Sequence, residues 1–213
     1  MTMKRVGIFG VSGMAREAGD IALDLGLTPL YVARDYSELD AWTCPADGIV
    51  EAEVNRYRDI SFVIGIGESK VRQEIAERYQ NQIAFCNLIH SSATFGYKQR
   101  QTIESCRGII VCAGVRFTNN IKVGDFTIFN QNSTIAHDVV IGSFTHVAPS
   151  CTISGNVDIG SHCWIGAGSV INQGSAEVKL VVGNYTTIGS GAVVVRSCES
   201  NAVYAGVPAK RIK

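Results

Sequence analysis

From Val111 to about Ala176 every sixth residue is apolar, and that period leaves the chain few ways to fold. The series runs Val111, Phe117, Val123, Phe129, Ile135, Ile141, Val147, Ile153, Ile159, Ile165 and Ile171, without a miss. Four residues after each lies a small or β-branched residue: Val115, Ile121, Thr127, Ser133, Val139, Thr145, Cys151, Val157, Cys163, Ser169 and Ser175. A half-buried strand repeats every two residues and an amphipathic helix about every 3.6, so neither accounts for the pattern. A hexapeptide repeat does: each hexad makes one short strand and one corner, three hexads close a triangular coil, and stacked coils bury a continuous core. Both series are expected to point inward. Residues eighteen apart should then lie one above the other, separated by roughly the 4.8 Å between paired strands. Gly124, Gly142, Gly160 and Gly166 each follow an apolar position and are read as supplying backbone freedom at corners. The pattern breaks at Glu177-Val178-Lys179-Leu180 and resumes out of phase at Val182, Ile188 and Val194, as if a loop were pushed out of one corner.

The first ninety residues follow another rule. Lys4 to Phe9 is an apolar strand that runs into Gly10-Val11-Ser12-Gly13 and then a helical pattern ending at Leu25-Gly26, with Ser12 as N-cap and Gly26 just past the C-terminus. Leu30 to Ala33 reads as a second strand and Ile60 to Ile66 as a third. A helix from Lys70 to Tyr79 follows, with Ser69 as cap, and Ile83 to Ile89 reads as a fourth strand. Strands alternating with helices imply a parallel, Rossmann-like α/β sheet. The expected architecture is therefore an α/β domain over residues 1–90 and a parallel β-helix over 91–213. Asn87 to Ala93 joins the two closely, and Phe95-Gly96 opens a first irregular coil that Arg100 to Cys106 finishes.

Gly10-x-Ser12-Gly13 is half of a dinucleotide fingerprint. Amide groups at a helix start favour a phosphate, and Asp35 at the end of the second strand stands where a carboxylate could accept hydrogen bonds from a ribose or base. Gly65 and Gly67, after the third strand, would close the same crevice. The same glycines would also serve simply as tight strand-to-helix turns.

Charge and cysteine content exclude several classes. Nineteen basic and nineteen acidic residues cancel, which gives no electrostatic footprint for nucleic acid. No run of eighteen apolar residues and no signal-peptide core follows Met1-Thr2-Met3-Lys4-Arg5, so a cytoplasmic protein without membrane insertion is expected. Seven cysteines, at 44, 86, 106, 112, 151, 163 and 198, contain no CxxC pair and suggest neither a disulfide framework nor a zinc finger. Cys151 and Cys163 fall in the inward series and read as reduced core residues.

Within the repeats, His137-Asp138 breaks type: no packing argument asks for an imidazole at a polar corner. A histidine can take a proton near neutral pH, and an adjacent carboxylate can fix its tautomer. Eighteen residues on is Gly155, whose N–H would lie one coil away, suited to an oxyanion formed beside that base. His146 lies on another edge with Trp164 one coil above it, and Asn130 precedes His137 by seven. Each of these could line a pocket or be a buried structural group. His90 and His162 read as structural. Histidines on a β-helix also raise a metal site like that of the γ-class carbonic anhydrases, but the HxxxxH spacing is missing, and no metal is expected.

Phe9-Gly10-Val11-Ser12-Gly13, Val63-Ile64-Gly65-Ile66-Gly67 with Arg72, Asn87-Leu88-Ile89-His90, Ile135 to Gly142, Thr145 to Pro149, Ser154-Gly155-Asn156-Val157 and Ala205 to Lys210 together resemble a known group. It comprises the two-domain bacterial left-handed β-helix acyltransferases that acetylate nucleotide-linked amino sugars, the PglD-like enzymes, with the NeuD-type sialic acid O-acetyltransferases. The resemblance implies a homotrimer that uses acetyl-CoA, with active sites between adjacent β-helices, acting in surface polysaccharide or glycan synthesis. It implies His137 as general base, Asp138 as its acidic partner, and Gly155 as the amide facing the thioester carbonyl. Asn130 and His146 match polar residues around the cofactor. Gly10, Ser12, Gly13, Asp35, Gly65 and Gly67 would hold a UDP-, dTDP- or GDP-linked 4-amino-4,6-dideoxyhexose. Lys210 and Arg211 are candidates for the CoA phosphates. Met14-Ala15 departs from the His-Gly of many members, and the insertion from Ala176 to Lys179 bears on the CoA groove. A sugar hydroxyl as acceptor, or a non-catalytic scaffold, are the alternatives.

Overall fold

A computed structural model describes residues 4–42, 46–175 and 177–213. Cys44 and Ala176 lie outside the described residues, as does the Met1-Thr2-Met3 start. The chain begins with five parallel strands, β1 (Arg5–Phe9), β2 (Thr28–Ala33), β3 (Gly48–Val50), β4 (Ser61–Ile64) and β5 (Ala84–Phe85), in the order β3-β2-β1-β4-β5. Three helices accompany them: α1 (Gly13–Asp24), α2 (Tyr36–Asp40) and α3 (Ser69–Tyr79). α1 buries Ala15, Ala18, Gly19, Ile21 and Ala22 along one stripe. Its small residues let it approach closely, since a Cβ at Gly19 would lie 1.8 Å from the Tyr31 hydroxyl oxygen. Gly26, at φ +70°, ends it. β3, short and flanked by polar loops, carries too little periodicity to be read from sequence.

The expected fourth strand, Ile83 to Ile89, is two strands in two sheets. β5 closes the first sheet, and β6 (Leu88–Ile89) pairs with Ile110–Val111 of the β-helix. Between them Asn87 donates to the carbonyls of Glu104 and Cys106 and accepts from the Ile109 N–H, turning the chain out of one sheet and into the other.

The left-handed β-helix has three faces. One stacks β6 with Ile110–Val111, Ile128–Phe129, His146–Val147, Trp164–Ile165 and Thr187–Ile188. A second stacks Thr94–Phe95, Arg116–Phe117, Thr134–Ile135, Thr152–Ile153, Val170–Ile171 and Val193–Val194. The third has four strands, from Lys122–Val123 to Leu180–Val182. The segment expected to finish the first coil is instead a helix, α4 (Gln99–Glu104), which caps that third face. There the Gln99 amide replaces a strand, donating to the Ile121 carbonyl at 2.7 Å and accepting from its N–H at 2.9 Å.

Pairing follows the eighteen-residue register, as in Thr134↔Thr152 and His146↔Trp164, and steps to twenty-three across the insertion, as in Asp158↔Val181 and Trp164↔Thr187. The inward series form the core, with Val123 only partly buried. Two buried hydroxyls are satisfied by the coil itself: Thr145 donates to the Gly160 carbonyl at 2.8 Å and Ser133 to that of Asn130 at 3.0 Å. Ser175, the last residue of the second series, is exposed, because the insertion begins there and Leu180 takes the inward place. Cys151 and Cys163 are buried free thiols, and burial pushes Cys163 up to about 11.

The glycines after the apolar positions serve a different purpose from the one expected. The left-handed corner conformation falls on Gly108, Gly114, Asn120, Phe126, Asn132, Asp138, Phe144, Ser150, Asn156, His162 and Gly168, and on none of Gly124, Gly142, Gly160 and Gly166. Gly142 and Gly166 are needed because the next coil is close: a Cβ at either would lie 2.5 or 2.6 Å from a backbone nitrogen of that coil.

The two halves share a core. Val6, Ile8, Ala15, Ala18 and Ile21 pack with Leu88, Ile110, Cys112 and Ile128. Arg72, fully buried in α3, donates to the carbonyls of Ile66 and Gly67 on its own side and of Phe126 and Phe144 on the β-helix, at 2.5–3.0 Å.

Candidate active site

His137 and Asp138 occupy a corner that opens a cleft of about 640 Å³, walled by Asn120, Lys122, Gly155, Gln173, Ser175 and Lys179. The local fold makes the arrangement. Asp138 takes the left-handed corner position at φ 61°, which short polar side chains tolerate, and this turns its carboxylate back toward its neighbour. Asp138 Oδ2 lies 2.7 Å from His137 Nδ1, and Asn120 Nδ2, one coil below, donates to Asp138 Oδ1 at 2.6 Å. These contacts, Asn120 first and His137 second, hold the Asp138 carboxyl below the usual carboxylate range. An ionised carboxylate only accepts, so Nδ1 carries the proton and Nε2 presents its lone pair to the cleft.

Gly155 lies one coil above, as the count of eighteen requires. A Cβ there would sit 2.5 Å from His137 Cε1 and 2.6 Å from Nε2, so the imidazole rests across the bare glycine. The Asn156 N–H donates to the His137 carbonyl at 2.9 Å, which locks the two corners in register. Among the described residues the Gly155 N–H has no acceptor, which leaves an imidazole lone pair beside a free main-chain donor. Lys179, from the insertion, reaches back to the Asp138 carbonyl at 3.2 Å and to Asp158 Oδ1 at 2.6 Å, so the inserted loop forms one wall of this cleft.

The other expected residues divide among different places. Gly10 and Ser12 line a crevice of about 220 Å³ at the carboxyl edge of the first sheet, together with Val32, Arg34, Glu38, Glu51 and Ile66. α1 starts at its rim, with Gly13 as its first residue, without a side-chain cap or an acidic residue in its first turn. α2 and α3, by contrast, are capped by the carboxylates of Asp35 and Glu68. An uncapped N-terminus of twelve helical residues beside this crevice is suited to a phosphate. Ser12 therefore holds the N-cap position without making the expected cap bond, and Glu68, not Ser69, caps α3. Asp35 is spent on the Glu38 N–H at 2.9 Å and on Arg34, so Glu38 and Glu51 are the acidic groups that reach the crevice. Those two were missed because nothing in their spacing marks them. Gly65 packs beneath, where a Cβ would lie 2.6 Å from Ala15 Cα.

Gly67 borders a second cleft of about 390 Å³ with Ser69, Lys70, His146, Trp164 and Tyr185. His146 is 4% exposed, and its ring centre lies 4.4 Å from that of Trp164. Burial, with Arg72 nearby, pushes its pKa down to about 4, so it is neutral at pH 7. Asn130, expected at the cofactor, is instead buried in the seam between the halves. Its amide nitrogen donates to Glu17 and its oxygen meets His146 Nε2. Lys210 and Arg211 form a terminal strand away from the His137 cleft, where Arg211 pairs with Glu199. His162 belongs to a stack with Phe144 and Tyr185, and His90 accepts from the Ser92 N–H. Among the described residues no three His, Cys, Asp or Glu side chains converge to hold a metal, and no helix is long and apolar enough to cross a membrane.

Residues 5–79 match the PglD N-terminal domain family. The whole chain is similar to PerB from Caulobacter crescentus, solved with CoA and GDP-perosamine, at 26% identity over 100% of this chain and 99% of that one, with a TM-score of 0.84. WeeI from Acinetobacter baumannii AYE is 25% identical over 99% and 100%, also with a TM-score of 0.84. The acetyltransferase domain of PglB from Neisseria gonorrhoeae FA1090, in complex with acetyl coenzyme A, shares the fold at a TM-score of 0.85 and 23% identity over 99% and 100%. Residues 5–79 thus match the PglD N-terminal domain family, and with the left-handed β-helix on which that domain is set the whole chain is similar to the PerB and WeeI structures.

Proposed function

We propose that the protein transfers the acetyl group of acetyl-CoA to the amino group of a nucleotide-linked amino sugar, a 4-amino-4,6-dideoxyhexose, in the building of a surface glycan. The observation that carries the reading is the His137 imidazole, oriented by Asp138 and lying across Gly155 one coil away. PerB, 26% identical over its whole length and solved with CoA and GDP-perosamine, supports the co-substrate and the class of acceptor.

The transfer is direct. The neutral sugar amine attacks the thioester carbonyl while His137 Nε2 takes a proton from it. The carbonyl oxygen becomes an oxyanion that the Gly155 N–H stabilises. The C–S bond then breaks, and the CoA thiolate leaves, protonated by the imidazolium. Asp138 remains ionised and steadies that imidazolium.

The active site is assembled from two chains of a homotrimer. In one chain the His137 cleft and the clefts beside Gly10 and Gly67 share no lining residue, so sugar held by one protomer is served by His137 of its neighbour. The test is an assay of acetyl transfer with a panel of UDP-, dTDP- and GDP-linked amino sugars, alongside free and CMP-linked sialic acid. His137→Ala should lower kcat by roughly 10²–10⁴ and leave acetyl-CoA binding intact by calorimetry. Acetylation of sialic acid alone would turn the reading to a hydroxyl acceptor, and no binding of acetyl-CoA would reduce the chain to a scaffold.

A further inference from the structure

A second histidine is set up with equal care and is left unused by the transfer chemistry. Asn130 Nδ2 lies 2.8 Å from Glu17 Oε2, and the weak acceptors Met14 Sδ and Cys112 Sγ lie on the same side at 3.5 and 3.8 Å. A carboxylate can only accept, so the nitrogen end of the amide must face Glu17. The oxygen end then faces His146 Nε2, which must donate. Because the ring is neutral, its other nitrogen, Nδ1, keeps a lone pair. That lone pair is directed toward the Gly67 carbonyl oxygen, 3.4 Å away, and two acceptors cannot satisfy each other. A single O–H or N–H hydrogen offered from the cleft would be taken up by either. Gly67 leaves room for it, since even a Cβ there would stand 3.5 Å from Nδ1, and the cleft opens between this point and Trp164.

We propose that Glu17 is a positioning residue: through Asn130 it holds His146 as the Nε2–H tautomer, so that Nδ1 faces the cleft as a hydrogen-bond acceptor for a hydroxyl or amino hydrogen of the bound sugar. The nature of that donor rests on the sugar-acetylation reading, whereas the tautomer lock does not. Without Glu17 the opposite arrangement is the better one. Asn130 turns over and donates to Nε2, and a proton on Nδ1 bonds the Gly67 carbonyl. Both bonds are then made inside the protein, and the acceptor facing the cleft is gone.

The experiment is nitrogen–proton correlation spectroscopy of the histidine rings in the full chain, with the His146 signals assigned by their loss in His146→Gln. The wild type should show a protonated Nε2 and a bare Nδ1. Glu17→Leu should move the proton to Nδ1, and Glu17→Gln, which can still accept from Asn130, should restore the wild-type pattern. In the transfer assay Glu17→Leu should raise KM for the sugar about tenfold, the size of one lost hydrogen bond, with KM for acetyl-CoA unchanged. A wild-type ring protonated at Nδ1, or a tautomer unmoved in Glu17→Leu, overturns the proposal. A shifted tautomer with an unchanged KM overturns the sugar contact. Failure of the wild type to acetylate any sugar defeats the proposed function, and the spectra still decide the lock.

Discussion

A histidine on this β-helix is defined by what its corner forces on it. At Asp138 the left-handed turn brings a carboxylate to His137 Nδ1 and leaves Nε2 free, whereas the buried strand position of His146 strips the ring of water and keeps it neutral. Two predictions belong at this scale. Gly155→Ala would push a methyl group to within 2.5 Å of the His137 ring, so the imidazole must move. A displacement of that order should cost roughly 10² in kcat with little change in the unfolding midpoint. The second concerns pH. The His146 pKa is lowered from 6.5 to about 4 in the folded chain, so as pH falls below about 6.5 the unfolded chain binds the proton first. The stability contributed by the neutral ring is whole above that point and declines toward pH 4, by at most about 3 kcal/mol. Urea midpoints at pH 7.5 and 4.5 should show the decline, and His146→Gln should flatten it.

At the scale of elements, the decisive contact is the one between α3 and two successive corners of the β-helix. Rings at those corners stack from coil to coil, Phe126 on Phe144 at 5.3 Å, Phe144 on His162 at 5.1 Å and His162 on Tyr185 at 4.6 Å. Arg72 grips the backbone of the first two rungs and of the Ile66-Gly67 loop with one guanidinium, whose pKa burial lowers to about 10. It meets carbonyls and no carboxylate, so it is held by directional hydrogen bonds, which a lysine with one nitrogen cannot reproduce. Arg72→Met should destabilise the fold by about 3–5 kcal/mol, because several buried carbonyls lose their donor together. Arg72→Lys should recover little of it, and chemical unfolding of the three proteins measures both.

For the molecule as a whole the testable claim is that neither cleft completes the site by itself. Mixing inactive His137→Ala chains with chains disabled in the Gly67 cleft, by unfolding and refolding them together, should restore roughly a quarter of wild-type activity, since random assembly pairs an intact half of each kind that often. A site built within one chain would restore none, and light scattering should give a mass three times that of the chain.

The repeat, its eighteen-residue register and the meeting of His137 with Gly155 were legible because a solenoid converts counting into position: each coil repeats the last, so sequence distance fixes spatial distance. The same local logic made β1, α1 and the glycine turn at Gly10 readable. It failed where a residue's partner comes from a remote segment. Ile83 to Ile89 is one apolar run by itself and two strands only because two sheets compete for it. Asn130 was read as facing a cofactor and is turned inward by Glu17, 113 residues away. Asp35 was read as a ligand and is consumed by α2. Periodicity therefore set the coiled architecture and the meeting of His137 with Gly155 unaided. The docking of the halves, the role of Arg72 and the tautomer of His146 were decided by tertiary structure alone, because a hydrogen bond depends on distance and direction between atoms that no spacing in the chain specifies.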